Sequence, residues 1–240
     1  MLIVSVLRCG KNFTSKHAQW LHRQFGGRKS LCLTDAKTIE GVETAPLLYN
    51  WPGWWSKIEL FNPDHPVIGN QDLLYFDIDV VVTGNLDVFE IATDFTMLRE
   101  FNHPTRVNSS IMMIPVSVKR KVWEAFIADP DKIMNECQTE EKWGDQGFIG
   151  SILHPMLWQD IIPGSVISYK CDIATNKMIG YNSVLANPNA TGEVPENVSV
   201  VCFHGSPRPW RTGFNWVPSF SIKDSLYGKL KNFKLKLKNS

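Results

Sequence analysis

Leu2-Ile-Val-Ser-Val-Leu7 is a nearly continuous apolar, β-branched run that ends at Arg8-Cys9-Gly10, and Ser30-Leu-Cys-Leu33 repeats the pattern before Thr34-Asp35. The first run reads as a buried strand followed by a loop, and the second as a short strand. Between them Thr14 or Ser15 can cap a helix through Phe25, since Ala18, Leu21 and Phe25 fall on one face and Gly26-Gly27 stops it. A β-α-β order sets the two strands side by side and parallel. The loops at their carboxyl ends then face one crevice, where open α/β sheets bind ligands and where a nucleotide fits.

The remaining chain continues the alternation. Trp51-Pro-Gly-Trp-Trp reads as a loop, and Ser56 as the cap of a short helix from Lys57 to Phe61. Leu73-Leu-Tyr-Phe76 reads as a strand running directly into Asp77-Ile-Asp79-Val-Val-Val82. Strands are expected at 97–101, 110–114 and 198–203, an amphipathic helix at 119–127 and a short helix at 145–152. With no internal repeat and no linker, the expectation is one mixed α/β domain over residues 1–222, followed by a basic tail over 223–240.

Composition narrows the class. Of 240 residues, 43% are hydrophobic, enough for a sizeable core, and 20% are charged, which excludes a disordered or collagen-like chain. No apolar run approaches the length of a membrane span or of a signal peptide's core, so a cytoplasmic protein is expected. The five cysteines are odd in number and spread out, with no C-x-x-C pair, and they read as buried thiols rather than a disulfide framework or a zinc site. The net charge of +1 conceals an asymmetry: residues 223–240 carry six lysines against one acid, a net +5, which leaves −4 on the other 222 residues. Such a tail reads either as a solvated terminus or as a contact for an anionic surface, a membrane's inner face or a nucleic acid.

The strongest chemical signal is Asp77-Ile-Asp79. On a continuous strand the two acids point to the same face, and carboxylates that close repel unless a cation lies between them. Hard divalent ions with oxygen ligands, Mg²⁺ or Mn²⁺, suit that site, although the same acids also fit the end of a strand and a turn. His204 closes the apolar run Val200-Val-Cys-Phe203. It is followed by Gly205, which leaves the backbone open to a ligand, and then by Pro207-Arg208-Pro209, whose guanidinium offers a planar fork to phosphate oxygens.

In chain order, Ser56-Lys57-Ile-Glu-Leu-Phe61, Leu74-Tyr-Phe-Asp77-Ile-Asp79 through Asp87, Asn108-Ser-Ser-Ile-Met-Met113, Gly144-Asp145-Gln146-Gly147 and Phe203-His204-Gly205-Ser-Pro-Arg208-Pro-Trp210 resemble the GT-A-fold nucleotide-sugar glycosyltransferases, most closely glycosyltransferase family 8. The resemblance covers residues 1 to about 216. It implies a GT-A fold, a Rossmann-like mixed central sheet flanked by helices. It also implies transfer of a sugar from a nucleotide-diphosphate sugar, with UDP-sugar the expected donor, to a hydroxyl, with retention of configuration. Carried over residue by residue, it implies that Asp77, Asp79 and His204 bind Mn²⁺ or Mg²⁺, and that Arg208, Lys57, Gly205 and Asp77 contact the donor. Asn108, Asp145 and Gln146 are then expected near the reacting carbon, and Arg8 and Asp35 occupy the nucleotide-binding places without a strong family pattern. Read from the residues alone, Lys57 also fits a solvated helix face, Asn108 a turn and Asp145 a helix cap.

Trp51, Trp54 and Trp55 crowd one loop, and they fit either stacking on a sugar or nucleobase or bracing the loop. The acceptor stays open among a glycan or lipopolysaccharide, a lipid-linked sugar and modified DNA bases. A non-catalytic carbohydrate- or nucleotide-binding module and a metal-dependent phosphoryl or nucleotidyl transferase also fit the acids.

Overall fold

The computed structural model describes residues 1–174, 187–221, 226 and 230. In chain order its regular elements are β1 (Leu2–Leu7), α1 (Ser15–His22), β2 (Ser30–Thr34), β3 (Glu43–Pro46), β4 (Leu73–Phe76), β5 (Val80–Val82), β6 (Thr96–Arg99), β7 (Val107–Ile114), α2 (Val116–Ile127), α3 (Pro130–Glu136), α4 (Gly144–Ile152), β8 (Met156–Leu157), α5 (Trp158–Ile161), β9 (Val166–Ser168) and β10 (Val200–Cys202). They form two compact units, Met1–Ile78 with Phe89–Ile162, and Asp79–Val88 with Pro163–Ser240. The crossings at Ile78–Asp79 and Val88–Phe89 fall inside apolar or motif segments with nothing to mark them in the sequence, whereas the one at Ile162–Pro163 falls at Pro163-Gly164-Ser165. Apart from the exposed Leu226 and Leu230, the basic tail over 223–240 lies outside the described residues. Among the described residues, no helix is long and apolar enough to cross a membrane.

The first unit is built on a seven-stranded sheet in the order β3-β2-β1-β4-β7-β6-β8. β1 pairs in parallel with β2 on one side and β4 on the other, with Val4 opposite both Leu31 and Tyr75. All six residues of β1 are buried, as a central parallel strand covered on both faces requires. β7 runs antiparallel to both β4 and β6, which makes the sheet mixed. α1 begins after Thr14 and ends in the single turn Arg23–Phe25, where Gly26 adopts φ 61°, a left-handed conformation that costs glycine little. Trp51, Trp55, Phe126 and Phe148 pack in one core cluster, the Phe126 ring 4.8 Å from Trp51 and 5.5 Å from both Trp55 and Phe148. Two of the three loop tryptophans therefore brace the loop, as bulky apolar rings do when a core lies beneath them.

In the second unit, β5 runs antiparallel to β10, which pairs in parallel with β9. Tyr169 stacks on Phe203 at 4.5 Å, and Phe214 on Trp216 at 5.4 Å, supplying the apolar cover for this small sheet.

Two local expectations are corrected. Leu73 to Val82 is not one strand: β4 ends at Phe76, Ile78 and Asp79 form a turn, and β5 joins a different sheet. The same-face geometry expected for Asp77 and Asp79 is therefore absent, and the acids mark a strand end and a turn. Ser56 is not a helix cap. A 3-10 helix already starts at Gly53 and runs to Phe61, and the buried Ser56 hydroxyl donates to the Trp51 carbonyl at 2.9 Å. The elements missed outright, β3, α3, β8, α5 and β9, are all short, seven residues or fewer.

Candidate active site

In the first unit, strands β1, β2 and β4 deliver Arg8, Asp35 and Asp77 just past their carboxyl ends, the edge the β-α-β reading singled out. The Arg8 Nη1 lies 3.5 Å from Asp35 Oδ2, and the Cys9 N–H donates to Asp35 Oδ1 at 2.8 Å. Arg8 also donates through Nη2 to the Tyr49 carbonyl and through Nε to the Ser56 hydroxyl at 3.1 Å, which ties this corner to the residue beside Lys57.

Lys57 is not on a solvated face; it is 7% exposed. Its ammonium lies 2.9 Å from Asp145 Oδ2 and 3.4 Å from Asp77 Oδ1, and it donates to Ser109 Oγ at 2.8 Å. The Ser109 hydroxyl in turn donates to Asp145 at 2.7 Å, and the Tyr75 hydroxyl donates to Asp77. Burial alone pulls the ammonium towards its neutral form, but the charges of Asp145 and then Asp77 outweigh it, so the pKa is raised above the ordinary lysine value. Asp145 is not the cap of α4, whose N-cap is Trp143; it occupies the first turn and directs its carboxylate to Ser109 and Lys57.

Asn108 and Gln146 are brought together by a residue the sequence reading missed. Both amide nitrogens, Asn108 Nδ2 and Gln146 Nε2, donate to the same oxygen of Glu100, each at 3.1 Å, while Asn108 Oδ1 accepts the Ser110 N–H at 2.8 Å. The orientation of both amides is fixed by this sharing, since a carboxylate only accepts. Asp77, Lys57 and Asp145 thus form one group with Ser109, and Asn108 and Gln146 a second with Glu100, the two adjoining along the chain at Asn108-Ser109 and Asp145-Gln146. Ser109, the neighbour of Asn108, had no signal of its own, and Glu100 was hidden at the end of an apolar strand.

In the second unit, Arg208 pairs through Nη1 with Asp79 Oδ2. The His204 Nε2 shares a 2.7 Å hydrogen bond with the Ser168 hydroxyl at the end of β9. A Cβ on Gly205, φ 81°, would stand 3.6 Å from the Lys170 ammonium. The Lys170 pKa is lowered, by burial first and by the charge of Arg208 among the lesser causes. Two cations in one neighbourhood favour an anion beside them, and Lys170, like Glu100 and Ser109, has no motif to announce it.

Two carboxylates and an imidazole are a donor set that fits a hard divalent ion. Each of the three, however, holds a protein partner: Asp77 has Lys57 and Tyr75, Asp79 has Arg208, and His204 has Ser168. Among the described residues, no three His, Cys, Asp or Glu side chains gather into a group that could hold a metal ion. Four of the five cysteines, Cys32, Cys137, Cys171 and Cys202, are buried free thiols, and Cys9 is exposed.

No family model matches the sequence, and no curated protein matches it either. Solved structures do match in fold. An active-site mutant of LgtC is similar with a TM-score of 0.50 at 12% identity, over 97% of this chain and 96% of its own. The glycosyltransferase GlyE of Streptococcus pneumoniae TIGR4 is similar with a TM-score of 0.55 at 13% identity, over 98% of this chain and 61% of its own. The bifunctional glycosyltransferase WbbM gives 0.53 at 11% identity, over 97% and 51%. The chain therefore spans nearly all of LgtC but less than two thirds of GlyE and about half of WbbM. At these identities the likeness establishes the architecture: a mixed seven-stranded α/β sheet flanked by helices, shared with GT-A glycosyltransferases.

Proposed function

We propose that this protein is a glycosyltransferase that moves a sugar from a nucleotide-diphosphate sugar, with UDP-sugar the first candidate, to a hydroxyl of a glycan, with retention of configuration. The reading is carried by the buried Lys57–Asp145 pair at the start of α4, with Gln146 and Asn108 joined on Glu100. A likeness of fold to glycosyltransferases adds weight.

The chemistry follows from charge. As the bond from the anomeric carbon to the diphosphate oxygen breaks, its electron pair stays on the nucleoside diphosphate and the sugar becomes oxocarbenium-like. The acceptor oxygen bonds to the same carbon and its proton passes to the departing phosphate. Arg208 and Lys170 meet the charge growing on the diphosphate, an electrostatic contribution of several kcal/mol in a preorganised site. Lys57, held cationic by Asp145 and Asp77, keeps both carboxylates ordered, and the Asn108 and Gln146 amides, fixed by Glu100, orient the sugar hydroxyls. Mn²⁺ or Mg²⁺ on Asp77, Asp79 and His204 would supply Lewis-acid stabilisation of the diphosphate.

Incubating the protein with a panel of UDP-, GDP- and ADP-sugars, with Mn²⁺, with Mg²⁺ and with a chelator, tests the reading. Release of one nucleoside diphosphate, lost with the chelator, is expected; no release from any donor would reject it. The anomeric coupling of the product by NMR decides retention.

A further inference from the structure

All nine tryptophans fall among the described residues, and two of them are exposed: Trp54 at 49% and Trp143 at 51%. Their ring centroids are 6.2 Å apart and their planes are tilted by 42°. Each indole is tethered to one end of the same ion pair, Trp54 three residues before Lys57 and Trp143 two residues before Asp145, with Lys57 and Asp145 2.9 Å apart. The backbone between them is adapted to the contact. Gly144 has φ 60°, and a Cβ there would stand 2.9 Å from Trp54 Nε1 and 3.4 Å from its Cδ1, so the indole lies directly on the residue preceding Asp145.

We infer that Trp54 and Trp143 form a saccharide subsite, taking one pyranose ring of the glycan acceptor beside the Lys57–Asp145 pair. The inference rests on the transferase reading for the word acceptor, though not for the binding itself. A pyranose presents axial C–H groups that lie on an indole face and a rim of hydroxyls that accept from indole N–H groups. The tilt makes the rings two facets of an open surface rather than a parallel slot, which suits a puckered sugar better than a flat base. Continuity with the Asp145–Gln146 end of α4 places a ring held there next to the residues proposed to handle the donor sugar.

The test uses the full chain and a panel of defined oligosaccharides, lactose, maltotriose and chitotriose among them, followed by tryptophan fluorescence and saturation-transfer NMR. At least one saccharide is expected to bind the wild type, with affinity falling about tenfold or more in Trp54→Ala and in Trp143→Ala. Trp54→Phe, which keeps an aromatic face, is expected to retain most of it. Near-ultraviolet and far-ultraviolet circular dichroism identifies any variant that fails to fold, and the Phe variant then carries the comparison with Trp143→Ala. Absence of binding by every saccharide, or wild-type affinity in both alanine variants, overturns the subsite, and preferential binding of single-stranded oligonucleotides through the same indoles overturns its saccharide specificity. Nucleoside diphosphate release by the wild type without acceptor is scored separately. Saccharide binding lost in the variants with no release from any donor leaves the subsite and rejects the transferase, whereas release with binding indifferent to the indoles does the reverse.

Discussion

Two acid–cation pairs, one in each unit, use the same charges in different surroundings. The Lys57–Asp145 pair is enclosed, with side chains 9% and 6% exposed, and Ser109 fills a further hydrogen-bond position on both partners. The Arg208–Asp79 pair keeps its acid enclosed at 9% but leaves the guanidinium 28% exposed. An enclosed pair resists breaking because either partner left alone is a desolvated charge, whereas a cation with water on one side can turn towards an incoming anion at modest cost. The first pair is suited to holding a site in shape, and the second to meeting an anion such as the diphosphate of the proposed donor.

The sharpest way to break that contrast is Lys57→Met. It strands two carboxylates, one of them 4% exposed, and is expected to lower stability by about 3–5 kcal/mol and to abolish nucleotide release. Urea midpoints measure this, and the double variant Lys57→Met, Asp145→Asn should recover part of the loss. An unshifted midpoint for Lys57→Met would mean the pair is not the clamp described. Arg208→Ala sits on the other side of the comparison. Here kcat is expected to fall about 10²–10³-fold, the range for removing one preorganised electrostatic donor, while stability falls by less than in Lys57→Met, since one enclosed carboxylate, Asp79, is left behind rather than two. A large stability loss with kcat preserved would reverse the assignment of roles.

What could be read in advance divides along similar physical lines. β1, α1 and β2 were legible because each carries a strong local pattern: a buried run, a 3.6-residue face, a glycine stop. The break between β4 and β5 was not, since Val80-Val-Val82 has the same strand propensity whichever sheet receives it. Lys57, Asp145, Asn108 and Gln146 were legible as residues but their partnership was not. Ser109 meets Asp145 across 36 positions of sequence and Glu100 meets Gln146 across 46, and no periodicity encodes such contacts. The tryptophan loop shows the limit most plainly. Trp54 and Trp55 are adjacent and chemically identical, yet one is half exposed and the other packs on Phe126, a difference set by the turn of the 3-10 helix.

Glu100 offers a finer probe of the enclosed unit, because it binds no proposed substrate group and acts through two amides. Glu100→Ala is expected to lower kcat by about 10–100-fold, the scale of a small misplacement of positioned groups. Glu100→Gln, which keeps one acceptor oxygen, should recover part of that loss. Equal activity in the alanine variant would detach Asn108 and Gln146 from the site.

The smallest effect expected concerns what keeps a buried lysine charged. Lys119 of α2 is as enclosed as Lys57 and donates to the Ile68 carbonyl at 2.6 Å, but burial outweighs the pull of Asp72 and lowers its pKa to about 8. In the unfolded chain a lysine titrates at about 10.4. Between those values the unfolded state binds more protons than the folded one, so this group's contribution to stability rises with pH across the window and is least favourable below it. The difference in urea midpoint between wild type and Lys119→Met should therefore shift in favour of the wild type from pH 7.5 to pH 10. Lys57, whose pKa the two aspartates raise, should show no such gain over the same range. A flat difference for Lys119 would mean that its ammonium is as well compensated as that of Lys57, and that neighbouring carboxylates are not what separates the two lysines.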